Sequence, residues 1–71
     1  MKFLVVIEKG EKRFGAYAPD LPGCVAAASS REDAGTLIQE AIEFHIEGLK
    51  KSGDPVPKPI SGSKLVDVHT A

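Results

Sequence analysis

Cys24, His45 and His69 are the chain's one thiol and its two imidazoles, the side chains most suited to nucleophilic or metal chemistry. A metal site built from them would need three separate elements to converge, because none has a second ligand at metal-like spacing beside it. A cysteine nucleophile requires a neighbouring base and a lowered pKa, and the sequence around Cys24 supplies neither. Ser29 and Ser30 sit in no nucleophile-elbow pattern. Gly10, Gly15 and Gly23 are too widely spaced to cradle a phosphate. His45 falls on an apolar helical stripe, where a core-edge histidine is the ordinary reading. No catalytic residue, metal site or cofactor is expected.

The carboxylates are more suggestive. Glu40, Glu43 and Glu47 stand at i, i+3 and i+7, which places them in one stripe along a helix. Such a stripe is either a solvated face, partly balanced by Glu47 with Lys51 at i, i+4, or a surface for a basic partner. In the second case it would speed association more than it would tighten binding. Asp20 lies in Pro19-Asp20-Leu21-Pro22-Gly23-Cys24. It is either a turn carboxylate bonding its own backbone or, together with Leu21 and Pro22, part of a partner-binding surface.

These residues need elements to hold them. Lys2 to Glu8 reads as a strand, and its continuous apolar run Phe3-Leu4-Val5-Val6-Ile7 suggests a central strand buried on both faces. Gly10-Glu11-Lys12 turns the chain into a second strand, Arg13 to Ala18. Pro22-Gly23 suits the two central positions of a type II turn, where glycine accepts positive φ cheaply, and leads to a third strand, Cys24 to Ala28. The three form an antiparallel meander.

Ser30 with Asp33, or Ser29 with Glu32, resembles a capping box at the start of a helix. Ala34, Leu37, Ile38, Ala41, Ile42, His45 and Leu49 then recur at helical spacing as an apolar stripe. Lys50 and Lys51 suit the last turn, and Gly53 the residue beyond it. The Pro/Gly-rich segment 53–63, stiffened by Pro55, Pro57 and Pro59, leads to a possible short final strand at Leu65-Val66-Asp67-Val68.

Seventy-one residues make one domain, 1–71, near the lower limit for a self-sufficient core. A net charge of -1 argues against a free-standing nucleic-acid binder, since it leaves no basic excess to neutralise phosphates. One cysteine fits a reducing compartment, and the first apolar run is too short for a signal peptide or a membrane span. A cytoplasmic location is expected.

The fold class is therefore α+β: a three- to four-stranded antiparallel sheet with one helix on one face, in the order β-β-β-α-β. One helix covers only one side of such a sheet. Phe3, Leu4, Val5, Val6 and Ile7 supply both faces of the first strand, so one set remains for an oligomer or a partner. An exposed apolar patch of this kind marks an interaction surface. A homodimer or higher homo-oligomer and a separate protein partner both satisfy it.

Tyr17-Ala18-Pro19-Asp20-Leu21-Pro22-Gly23-Cys24, the segment Ala41-Ile42-Glu43-Phe44-His45-Ile46-Glu47-Gly48-Leu49, and then Gly53 with Pro55-Val56-Pro57-Lys58-Pro59 together resemble the HicB-type antitoxins. The resemblance covers roughly residues 2 to 60. It implies a partial RNase H-like fold and a partner, a HicA-type toxin that cleaves messenger RNA and is neutralised when its active site is masked. Relatives of this kind commonly self-associate. Where the family often has Gly-Asp-Thr before the helix, this chain has Ala28-Ser29-Ser30. That keeps the capping chemistry but removes an aspartate as a partner contact.

Full-length members usually carry a C-terminal DNA-binding domain. Only residues 60–71 follow Pro59 here, so direct DNA binding is not expected. The other readings are a homo-oligomeric structural or adaptor module without a toxin, and a weak RNA-binding protein.

Overall fold

Three short strands and one long helix follow one another in the computed structural model, which describes residues 1–69. β1 is Val6–Lys9, β2 Phe14–Tyr17, β3 Val25–Ala28 and α1 Arg31–Ser52. The sheet is antiparallel in the order β1-β2-β3. This is the expected α+β meander with a helix on one face. Two details differ from expectation. β2, not the first strand, is central, because each strand pairs only with its neighbour in sequence. Leu65 to Val68 form no ladder, so the described residues contain no fourth strand.

The first strand is also shorter than its apolar run. Val6 pairs with Tyr17, and beyond Tyr17 the second strand turns away at Pro19, so residues 2–5 have no partner across the sheet. Phe3 and Val5 nevertheless pack against the core, as do Ile7, Phe14 and Ala26. Alternation along the strands sends Leu4 and Val6 to the opposite face.

Local chemistry fixes the connections. Gly23 holds φ 84, and the Cys24 N–H donates to the Leu21 carbonyl at 3.1 Å, closing the turn over Pro22-Gly23. Ser30 is the N-cap. Its hydroxyl accepts from the Asp33 N–H at 3.1 Å, while Glu32 and Asp33 occupy the positive end of the helix dipole. At the other end Gly53 takes φ 75, its N–H meets the Lys50 carbonyl, and the Asp54 N–H meets that of Leu49. This pair of bonds satisfies carbonyls that the helix leaves over.

The core is thin. Ala16, Ala18, Leu21, Cys24, Ala28, Ala34 and Ile38 are its buried members. Small side chains on β2 and β3 let α1 approach the sheet closely, whereas Gly35 is not required for it: a β-carbon there would stand 3.8 Å from Ile7 Cδ1, an ordinary contact. One member of the expected helical stripe departs from it: Leu37 is 42% exposed, at the flank rather than in the core, while Ala41, Ile42, His45 and Leu49 are half-buried.

After the helix the proline run returns along the body, with Val56 and Pro59 half-buried. Beyond it the chain extends outward. The radius of gyration is 14.3 Å and the longest extent 53 Å, against a radius of about 11 Å for a compact chain of this length.

Candidate partner-binding surfaces

Three surfaces stand out, each built by a different element. The first is the outer face of α1. Glu40, Glu43 and Glu47 are all exposed along one side of the helix, as their spacing predicts. Glu43 accepts from Gln39 Nε2 at 3.2 Å, and Glu47 meets Lys51 Nζ at 3.4 Å. Both contacts lie in water, where such pairs contribute little. Glu40 has no side-chain partner among the described residues. Beside this ridge stand Phe44, 80% exposed, and Leu37, seven residues earlier and thus on the same flank. Composition and spacing did not single out Phe44. The signal was there, in an aromatic residue two positions out of phase with the core stripe.

The second surface is the turn between β2 and β3. Pro22 is exposed, but Leu21, expected there as a partner contact, is fully buried. Its side chain plugs the end of the core, so it anchors the turn and does not present a surface. Asp20 is committed elsewhere. Its Oδ2 accepts from the Ile60 and Ser61 N–H groups at 3.0 and 2.9 Å, and its Oδ1 from the Ser61 hydroxyl at 2.7 Å. The carboxylate clips the far end of the proline run to the turn. These bonds, led by those from the backbone and hydroxyl of Ser61, hold its pKa below the ordinary value of 3.8 against a smaller opposing effect of burial. No local bond of the expected Asx type is needed.

The third surface is the sheet face that α1 leaves bare. Val6, Tyr17 and Val25 align across the three strands there, with Tyr17 39% and Val25 68% exposed. Glu8, Gly15 and Ala27 form the next row, and space is open over Gly15. Leu4 and Val6 belong to this face. Phe3, Val5 and Ile7 belong to the helix side, where Phe3 and Val5 also line a groove of about 600 Å³ with Ile38, Ile42 and Ile46 of α1.

Cys24 is buried, and burial pushes its thiol up, away from the reactive thiolate. His45 is half-buried on α1. Among the described residues, no three His, Cys, Asp or Glu side chains gather where they could hold a metal ion. No helix of the described residues is long and apolar enough to cross a membrane.

A family model described as the HicB-like antitoxin of bacterial toxin-antitoxin systems matches residues 3–69. A UPF0150 protein of Thermoplasma acidophilum is 37% identical over 97% of this chain and 99% of its own length. An uncharacterized 14.9 kDa protein of Haemophilus phage HP1 is 36% identical over 82% of the chain, which spans only 44% of that longer relative. Among solved structures, a chain of a HicA3 and HicB3 toxin-antitoxin complex superposes with a TM-score of 0.67. It shares 32% identity, over 83% of this chain and 72% of its own length.

Proposed function

The chain belongs to the HicB-like antitoxins of bacterial toxin-antitoxin systems, and from that premise we propose that it binds a HicA-type toxin and masks the toxin's active site. The observation that carries this reading is the outer face of α1. Three exposed carboxylates there adjoin an 80% exposed phenylalanine. A protein that cuts messenger RNA must present cations where phosphates bind. An acidic ridge is complementary to such a surface, and an aromatic anchor beside it supplies the desolvated contact that interfaces concentrate their energy in. On this reading the chain is an inhibitor and not an enzyme, and it acts in the cytoplasm, where the toxin's substrate lies. Asp20 and Pro22 flank the interface at most, since the carboxylate is already engaged by Ile60 and Ser61.

The test is inhibition of RNA cleavage by a HicA-type toxin, with the association rate measured at several salt concentrations. Reversing Glu40, Glu43 and Glu47 to lysine together is expected to slow association about tenfold or more and to remove most of its salt dependence. Phe44→Ala is expected to speed dissociation. Unchanged inhibition by both variants would remove α1 from the interface. Failure of the unaltered chain to bind the toxin would remove the reading itself, leaving a homo-oligomeric module for which the bare sheet face is the supporting feature.

A further inference from the structure

The two outer edges of the sheet are not alike. The Ala18 N–H donates to the Cys24 carbonyl at 3.3 Å, which sets the phase of the β2–β3 ladder and turns the Ala27 carbonyl outward. Arg13 reaches that carbonyl with Nη2 at 3.3 Å, so the β3 edge is capped by a cation. On the other side, the Gly10 N–H to Arg13 carbonyl bond at 2.7 Å sets the β1–β2 phase. The backbone groups of Val5, Ile7 and Lys9 then point outward, and no side chain covers them among the described residues. In front of them, Lys2, Phe3, Leu4 and Val5 run without any ladder partner, beside the apolar groove under α1.

The tail has the complementary deficiency. Lys64-Leu65-Val66-Asp67-Val68 reads as a strand but pairs with nothing, and Leu65, Val66 and Val68 are 101%, 64% and 74% exposed. The segment is part of the domain's pattern, because the family match runs through it to residue 69. It follows the Asp20 clip at Ser61 and is exposed along its length.

We infer that the tail of one molecule adds antiparallel to the open β1 edge of a second copy, with Leu65 opposite Leu4, Val66 opposite Phe3 and Asp67 opposite Lys2. The register follows from charge and alternation. Asp67 and Leu65 share one face, and so do Lys2 and Leu4. With these pairs aligned, Val66 meets Phe3 at the mouth of the groove, and Lys64 falls beside Val5 on the side where Glu43 lines the groove. Exchange is reciprocal, so each dimer contains both pairings and closes by a two-fold axis. No toxin enters this contact, and its test is independent of the antitoxin reading.

Sedimentation of the full chain across a range of concentrations is the experiment, with circular dichroism confirming that each variant stays folded. The unaltered chain is expected to dimerise. Asp67→Lys and Lys2→Asp should each raise the dimer dissociation constant about tenfold, since every dimer loses two opposite-charge pairs. Combining the two substitutions should restore it. Three outcomes would overturn the inference: a chain that stays monomeric, a dimer indifferent to both reversals, or Leu65–Asp67 amides protected from exchange to the same degree at every concentration. The last would mean that the tail pairs within its own molecule.

Discussion

Asp20 does work that its neighbours in sequence do not reveal. A carboxylate between two prolines reads as a local turn residue, yet its three hydrogen-bond donors come from Ile60 and Ser61, some forty positions away. Nothing in a linear pattern encodes that pairing, whereas Gly23 and Gly53 were legible because positive φ is a local demand. The burial of Leu21 is hidden for a similar reason, since whether a turn's leucine points in or out depends on what closes over it. The bonds to Asp20 favour its charged form, so its pKa falls on clipping. The clip is then fully formed above the ordinary aspartate value of 3.8 and opens as pH drops through the depressed one. Asp20→Asn should release the segment at neutral pH. Amide exchange at Ile60 and Ser61 is expected to rise toward that of Lys64, with the melting transition little changed.

At the scale of elements, the helix was the most legible part of the chain and its faces the least. Both caps follow from residue type, and of the two serines offered by the sequence, Ser30 is the one whose hydroxyl meets Asp33. Ser30→Ala should cost about 1 kcal/mol, read as a lower urea midpoint with an unchanged slope. Periodicity alone placed Leu37 in the core, but a three-stranded sheet of small residues is narrow and covers only the arc holding Ala34 and Ile38. The strands show the same limit. An unbroken apolar run reads as a central strand, yet β1 lies at the edge, with Phe3, Val5 and Ile7 under the helix and Leu4 and Val6 on the bare side. Apolarity on both faces reported what covers a strand from above and below. It did not report which strands lie beside it.

The whole molecule has little core to lose. Leu21 and Ile38 are its largest fully buried side chains, and the rest of the cluster is alanine and one cysteine. Ile38→Ala should therefore remove about 2–4 kcal/mol, a large share of the stability of a domain this small, and leave it partly unfolded at 37 °C by circular dichroism. Val25→Lys, on the bare face at 68% exposure, should change stability by less than about 0.5 kcal/mol in the same measurement. The contrast separates what the fold needs from what it offers to others. That offer was legible in outline, because one helix cannot cover two faces. The tail's lack of a partner was not, because strand propensity says nothing about whether an edge lies within reach.

The row Val6, Tyr17 and Val25 has a practical side. The chain has one tyrosine and no tryptophan, and that tyrosine stands at the centre of the uncovered sheet face. Excited at wavelengths beyond the absorption of its three phenylalanines, the protein therefore emits from one spot on one surface. Quenching of that emission by a small neutral solute would report, without any label, when something settles over the sheet. A molecule that docks on the acidic side of α1 would leave the signal untouched.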